Sequence, residues 1–197
     1  MIRNKKHDLL TISMLIGACV TLMIASFASF AQKAERISGS VLRLHVMANS
    51  DSQDDQKLKY SVRDFIIAGG YFNGMLTLDE ARQVSLDEIK ADTNAFIKAQ
   101  GYDYNADVSL ANMYFTTHVY ENITMPAGYY DALRVIIGTG EGQNWWCVVF
   151  PPLCLPAVTK SSEPFFSAEA ASIIENNDGR RIEVRFAVYE WFTRRRR

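Results

Sequence analysis

Residues 144–154 read NWWCVVFPPLC, the stretch of this sequence that most constrains the fold. Apolar side chains occupy both alternating sets of positions in the first seven residues, so both faces of a strand formed here would be buried. That pattern predicts a central strand of a sheet. Pro151 and Pro152 lack the N–H that a sheet ladder needs, so we expect the strand to end there, with a sharp turn before Cys154.

A glycine-rich segment, GTGEG at residues 138–142, leads into this strand. The residues before it include Leu133, Val135 and Ile137, whose alternation predicts another strand. A glycine-rich connection between two strands predicts a hairpin turn. A phosphate-binding loop is disfavoured because such a loop must open a helix, whereas here a strand follows.

Two helices are predicted in the first half of the domain. A strand over residues 41–47 is followed by the polar cluster 49–52, which has the composition and spacing of a helix cap. The first helix therefore covers residues 52–69 and ends at a pair of glycines. The second helix, over residues 77–101, begins with a similar capping box and also ends at a glycine.

Short strands are predicted in the second half, over residues 104–110 and 115–119. A short helix over 168–176 and a half-exposed closing strand over 182–188 complete the chain. One strand, two helices and then mostly strands is the order of an α+β domain. We therefore predict one domain, residues 38–193, with a largely antiparallel sheet and the two N-terminal helices packed on one face.

The N-terminus, residues 1–31, is predicted to enter a membrane. A basic start precedes an uncharged run from Leu9 to Ala31, long enough to cross a hydrocarbon core of about 30 Å as a helix. Small residues at positions 29 and 31 fit a signal-peptidase cut between Ala31 and Gln32. A cleaved signal peptide and an uncut anchor both remain open. In either case the positive flank places the rest of the chain outside the cytosol.

The exported part of the chain is acidic apart from its end. The chain has 21 Lys and Arg against 22 Asp and Glu; residues 1–31 hold three of the basic and one of the acidic residues, and residues 194–197 hold four basic ones. The remainder has 14 basic and 21 acidic residues, a balance that argues against a nucleic-acid groove. The tail, Arg194, Arg195, Arg196 and Arg197, is interpreted either as a solvated end or as a contact for an anionic membrane surface.

Several motifs together resemble the stage II sporulation protein R family of endospore-forming bacteria. The motifs are NSDS at 49–52 with DQ at 55–56, PAG at 126–128 with ALRV at 132–135, the segment 140–154, and EVRF at 183–186 with EW at 190–191. The membrane-entry segment also fits. The loop over 155–179 and the arginine tail do not belong to the pattern.

This resemblance implies a signalling protein rather than an enzyme. It implies synthesis in the forespore, export into the space between the two septal membranes, and activation of a membrane-embedded aspartic protease in the mother cell. That protease would then remove the pro-sequence of sigma-E. A protein of this kind needs no catalytic residue, metal or cofactor. We expect its receptor interface to include five motif residues, Asn49, Asp51, Asn144, Trp145 and Trp146, because tryptophan is enriched at binding hot spots.

The alternative is a secreted or membrane-anchored hydrolase acting on cell-wall material. Its candidate residues are His45, His118, Cys147 and Cys154, since a cysteine–histidine pair needs only to meet in space. Buried structural histidines are the competing interpretation. Cys147 and Cys154 are predicted either to form a disulfide across the proline turn or to remain two buried thiols. A third interpretation is a module that binds membrane surfaces.

Overall fold

The structure is a computed structural model, which describes residues 2–120, 123–151 and 181–195. Five helices and six strands occur in these residues. In chain order they are α1 (Ile2–Ser38), β1 (Leu42–Met47), α2 (Gln53–Ala68), α3 (Leu78–Arg82), α4 (Leu86–Ala99), β2 (Ala106–Phe115), β3 (His118–Tyr120), β4 (Ile123–Met125), β5 (Gly128–Ile137), β6 (Asn144–Phe150) and α5 (Arg181–Arg194). The helix predicted over 168–176 lies outside the described residues.

A four-stranded sheet organises the domain, with strand order β2-β5-β1-β6. Strand β5 pairs antiparallel with β2, and β1 pairs antiparallel with β6, whereas β1 and β5 run parallel. The parallel pair needs a long crossover, and the chain from α2 to β4 provides it. Strands β3 and β4 form a separate two-stranded sheet. The predicted α+β class and the largely antiparallel sheet are confirmed.

The prediction of a hairpin before β6 was wrong, and β6 is not central among the described strands. Strand β6 lies at the edge of the sheet as far as the described residues go, and β1 separates it from β5. Cys147, Val148, Val149 and Phe150 are nevertheless all buried. Burial of both faces requires packing layers above and below a strand, not a neighbour on each edge, and β6 has such layers on both sides.

Helices α2 and α4 cover one face of the sheet, as predicted. Leu42, Leu44 and Val46 alternate along β1 and point into this layer, where all three are fully buried. The helices contribute buried side chains at helical spacing, namely Leu58, Val62, Ile66, Ile89 and Ile97. The alternating β1 side chains pack against the apolar faces of α2 and α4, and together they form the main hydrophobic core.

The single helix predicted over 77–101 is in fact two helices. Helix α3 ends at Arg82, and Ser85 then caps α4 by accepting a hydrogen bond of 3.3 Å from the Glu88 N–H. Ser85 and Glu88 repeat the serine-to-glutamate spacing of a helix start, and that signal interrupts the longer apolar periodicity.

The opposite face of the sheet carries a second cluster that contains a buried charge. Arg43 is fully buried, and its guanidinium carbon lies 4.1 Å from the Phe115 ring centre and 5.0 Å from that of Tyr130. A guanidinium over two aromatic faces is a favourable cation–π arrangement. Ile37, at the end of α1, is also fully buried in this cluster. The end of α1 is therefore part of the domain.

Helix α1 is long and apolar enough to cross a membrane. Its apolar segment, His7–Ser38, contains an 18-residue stretch with a mean hydropathy of 2.2. None of that stretch is buried by the described part of the domain. The predicted apolar N-terminal helix is confirmed, and it is compatible with a signal sequence or an anchor. Ala31 and Gln32, the predicted cleavage site, lie inside the helix.

The closing strand predicted over 182–188 is a helix, α5. Phe186 and Tyr189 both contact Phe30 of α1, with ring centres at 5.2 and 5.6 Å. Two residues three positions apart can meet one partner when they lie on the same face of a helix. The apolar residues at 182, 186 and 189 fit helical spacing, whereas those at 182, 184, 186 and 188 fit alternation, so packing against α1 decides between the two.

Candidate functional site

Asn49, directly after β1, joins three parts of the chain. Its side-chain Oδ1 accepts a hydrogen bond of 3.0 Å from the Thr139 N–H, and its backbone carbonyl accepts one of 3.0 Å from the Thr139 hydroxyl. Its Nδ2 donates to the Asp55 carboxylate at 2.9 Å. The end of β1, the start of α2 and the segment before β6 therefore meet here. We call residues 48–55 together with residues 138–143 the junction.

Asp55 is a buried carboxylate at the centre of the junction, with only 4% of its surface exposed. Burial alone would raise its pKa, but hydrogen bonds from Ser50 and Asn49, with those of Tyr104 and Ser52, outweigh burial and lower the pKa below its ordinary value. The Ser50 hydroxyl donates to this carboxylate at 2.5 Å. The carboxylate therefore stays ionised and holds its donors in place.

The glycine segment 138–142 crosses the end of β1 instead of forming a hairpin. The Glu141 and Gly142 N–H groups donate to the carbonyls of Asn49 and Ala48, at 3.2 and 2.9 Å. The crossing passes so close that a Cβ on Gly142 would collide with the Ser50 carbonyl oxygen. Glycine is needed here because the two backbones touch.

Asp51 and Lys59 fix the next residue of the crossing, Gln143. The Asp51 carboxylate accepts a hydrogen bond of 2.8 Å from the Gln143 N–H, and the Lys59 ammonium donates to the Gln143 carbonyl at 3.1 Å. Lys59 is almost fully buried, and this burial lowers its pKa. Asn49 and Asp51, predicted to contact a receptor, thus form these hydrogen bonds inside the protein.

Trp145 follows the junction and lies on the helix face of the sheet. The guanidinium carbon of Arg63 lies 4.5 Å from its ring centre, and the Tyr60 ring meets it edge to face at 5.5 Å. Trp145 is half-buried, whereas Tyr60 is 40% exposed. We call Tyr60, Arg63 and Trp145 the aromatic–cationic surface. Their chemistry, two aromatic rings with an arginine, is that of interface hot spots.

Sequence reasoning missed Tyr60. Tyr60 and Arg63 are three positions apart on α2, a spacing that places them side by side on one helix face. That spacing was visible in the sequence, but the pairing of β6 with β1 was needed to bring Trp145 beside α2.

Trp146 lies on the other face of the sheet and is half-buried as well. Its ring stacks on the His45 imidazole at 3.9 Å with an angle of 1°, and Phe115 meets it at 4.7 Å. The His45 Nε2 is 3.0 Å from the Asn144 Oδ1. Burial lowers the His45 pKa, so the neutral imidazole is favoured. Trp146 thus packs against the second cluster and offers less surface to a partner than Tyr60.

The cysteine and histidine candidates do not come together within the described part of the chain. His45 and Cys147 lie on opposite faces, because Cys147 is opposite Leu44 in the register and belongs to the helix-face core. His118 sits against the Thr116 carbonyl at 3.1 Å. No group of three His, Cys, Asp or Glu side chains that could hold a metal ion occurs among the described residues.

Cys147 is disulfide-bonded, and Cys19 in α1 is a free, exposed thiol. The predicted partner, Cys154, lies outside the described residues, so the pairing of Cys147 with Cys154 stays a prediction.

The junction includes residues of two of the motifs noted in the sequence, 49–52 and 140–154, and comparison with known proteins tests the family resemblance. The sequence model of the stage II sporulation protein R family matches residues 38–160. The chain belongs to this family. It is 34% identical over 195 residues to stage II sporulation protein R of Bacillus subtilis (strain 168), covering 83% of this chain and 86% of that protein. No solved structure matches the chain.

Family membership assigns the chain to sporulation signalling and agrees with the resemblance drawn from the motifs. The matched region starts at Ser38, the last residue of α1, and contains both halves of the junction as well as the aromatic–cationic surface.

Proposed function

We propose that the chain is an exported signal that activates a membrane-embedded aspartic protease, which then processes pro-sigma-E in the mother cell. Membership of the stage II sporulation protein R family is the observation that carries this proposal. The apolar helix α1 supports the export step, since its basic flank keeps the N-terminus inside the forespore. The domain then works in the space between the septal membranes.

Activation follows from selective binding and needs no chemistry from this chain. A ligand shifts its receptor towards the active state only by the difference between its affinities for the two states. A hundredfold preference for the active protease corresponds to about 2.7 kcal/mol. One well-formed interface patch can supply a difference of this size.

The aromatic–cationic surface is the part of the domain that we assign to receptor binding. Tyr60 and Trp145 offer amphipathic rings, and Arg63 lies between them as a planar donor. Lys59 of α2 binds the Gln143 carbonyl two residues before Trp145, and this link limits the conformational entropy that the surface loses on binding. Asn49 and Asp51 then act as positioning residues. Asn144 and Trp146 lie on the opposite face of β6, so they add a separate, smaller contact to the proposed interface.

The test is a processing assay in a host without sporulation genes. The chain, the protease and pro-sigma-E are co-expressed, and the mature sigma factor is measured by immunoblot. We expect Tyr60→Ala to lower processing roughly tenfold or more, because a hot-spot side chain is lost. Lys98→Ala, an exposed substitution on α4, is the matched control and should process normally.

The fold of each variant is checked by thermal melting. Processing by Tyr60→Ala at the level of the unmutated chain would reject this surface. No processing by the unmutated chain, in a host where it is exported and folded, would reject the proposed function itself.

A further inference from the structure

Helix α5 packs antiparallel against the part of α1 that leaves the apolar segment. Phe27 contacts Phe192 at 5.3 Å between ring centres, and Phe30 contacts Phe186 at 5.2 Å. Higher residue numbers in α1 thus meet lower numbers in α5, with Tyr189 contacting both phenylalanines of α1. The end of α5 therefore points back towards the apolar segment.

The sheet also holds α5 in place. The Thr117 N–H donates to the Glu190 carboxylate at 3.2 Å, and the Tyr114 hydroxyl lies 3.1 Å from that of Thr193. These contacts come from the end of β2 and the residues after it. Helix α5 is thus fixed to the domain on one side and to α1 on the other.

Three large apolar side chains of α5 remain exposed among its described residues, including the outer part of Phe192. Trp191 is 52% exposed, Phe192 is 50% exposed and Val188 is 41% exposed. The guanidinium carbon of Arg195 lies 4.3 Å from the Trp191 ring centre. Two more arginines follow in the sequence. Aromatic rings followed directly by basic residues have the composition of a segment at a membrane–water boundary.

The length of α1 places this face at that boundary. Exposed large apolar side chains on α1 run from Leu9 to Ile24. About 20 helical residues cross a hydrocarbon core, and counted from Leu9 they end near Ala28. Phe27, the partner of Phe192, is next to that position. Trp191 and Phe192 are therefore level with the point where α1 leaves the bilayer.

We infer that α5 is a membrane-docking helix. Trp191 and Phe192 insert at the surface of the membrane that α1 spans, and Arg195, whose guanidinium lies back over the Trp191 ring, reaches the anionic phospholipid headgroups. The occupant is lipid because the exposed rings continue the apolar surface of α1 and because the positive charge is concentrated at this end of an otherwise acidic domain. The span of α1 and the surface contact of α5 together fix the orientation of the domain on the membrane that α1 crosses. This inference does not depend on the identity of the receptor.

The experiment measures the depth of Trp191 in the membrane. The full-length chain is reconstituted in phosphatidylcholine vesicles containing phosphatidylglycerol, with a bromine-labelled lipid that quenches tryptophan near the top of the acyl chains. We expect quenching of the unmutated chain that Trp191→Phe largely removes. Trp145→Phe is the matched control and should retain it, because Trp145 packs against α2 in the domain.

Equal quenching of Trp191→Phe and the unmutated chain would overturn the inference, and so would the absence of quenching in vesicles that retain the protein. If Trp191 contacts a protein partner instead of lipid, quenching will be absent. Deleting residues 194–197 should weaken quenching in phosphatidylglycerol vesicles at low salt, and the difference should fade at high salt. An unchanged signal at low salt would contradict the role of the arginines. A negative processing assay would not change the meaning of these quenching results, because the quenching experiment contains no protease.

Discussion

The Oδ1 of Asn49 accepts a 3.0 Å hydrogen bond from the backbone N–H of Thr139, a residue 90 positions later in the chain. Because β1 lies between β5 and β6, the segment that connects those strands must cross the end of β1, and Asn49 is the residue it crosses. The sequence motifs near residues 50 and 140 therefore meet in one structure, the junction.

The Asn49 hydrogen bonds predict a stability effect. Asn49→Ala leaves the Thr139 N–H without its side-chain acceptor and removes one donor from the buried Asp55 carboxylate. We expect a loss of about 2 to 3 kcal/mol in the free energy of unfolding, measured by urea denaturation. Asn73→Ala, at an exposed asparagine in the turn after α2, should change it by less than about 0.5 kcal/mol. Equal stabilities of the two variants would show that the junction does not depend on Asn49.

The close backbone approach at Gly142 gives a second prediction. A Cβ at this position would lie 2.6 Å from the Ser50 carbonyl carbon and 2.9 Å from the Ala48 Cβ, so the crossing must move. Gly142→Ala should lower the melting temperature clearly. Gly39→Ala meets nothing closer than 3.5 Å among the described residues and serves as the control. A melting temperature for Gly142→Ala at the control's level would contradict the tight crossing.

The low pKa of Asp55 makes stability dependent on acid. A lowered folded-state pKa contributes stability that is fully present above the unfolded value, about 3.9, and is lost as pH falls through the folded value. The stability difference between the unmutated chain and Asp55→Asn should therefore be largest at neutral pH and shrink below about pH 4. Urea unfolding at a series of pH values measures it. A difference that stays constant into acid would show that Asp55 is not the group responsible.

The contacts between α1 and α5 predict that the exported chain keeps its N-terminal helix. A cut between Ala31 and Gln32 would remove Phe27 and Phe30, the aromatic partners of Phe186 and Tyr189. We expect mass spectrometry of the membrane fraction to find the intact chain. A mature protein that starts at Gln32 would instead identify residues 1–31 as a cleaved signal peptide.

The sequence predicted the local elements better than their arrangement. Alternation in β1 and the capping residue Ser52 correctly predicted a strand and the start of a helix. The position of β6 at the edge of the described sheet could not be predicted, because its apolar residues report burial of its faces and say nothing about its neighbours. Helix α5 was missed for a similar reason, since short apolar patterns fit two periods and tertiary contact chooses between them.

The candidate site was predicted only in part, for a physical reason. Asn49, Asp51 and Trp145 were identified from the motifs, but a motif does not distinguish a residue that binds a partner from one that holds the fold. Asp51 turns out to bind the Gln143 backbone. Tyr60 lacked any motif signal, and it joined the candidates because β1 brings β6 alongside α2.

Site-specific photo-crosslinking shows whether the aromatic–cationic surface binds the protease. A benzophenone amino acid replaces Tyr60 in one sample and Lys98 of α4 in the other, and each chain is irradiated in membranes containing the protease. We expect a covalent adduct of chain and protease from position 60 and none from position 98. An adduct from position 98 alone, or none from position 60 while the sigma factor is being processed, would contradict it.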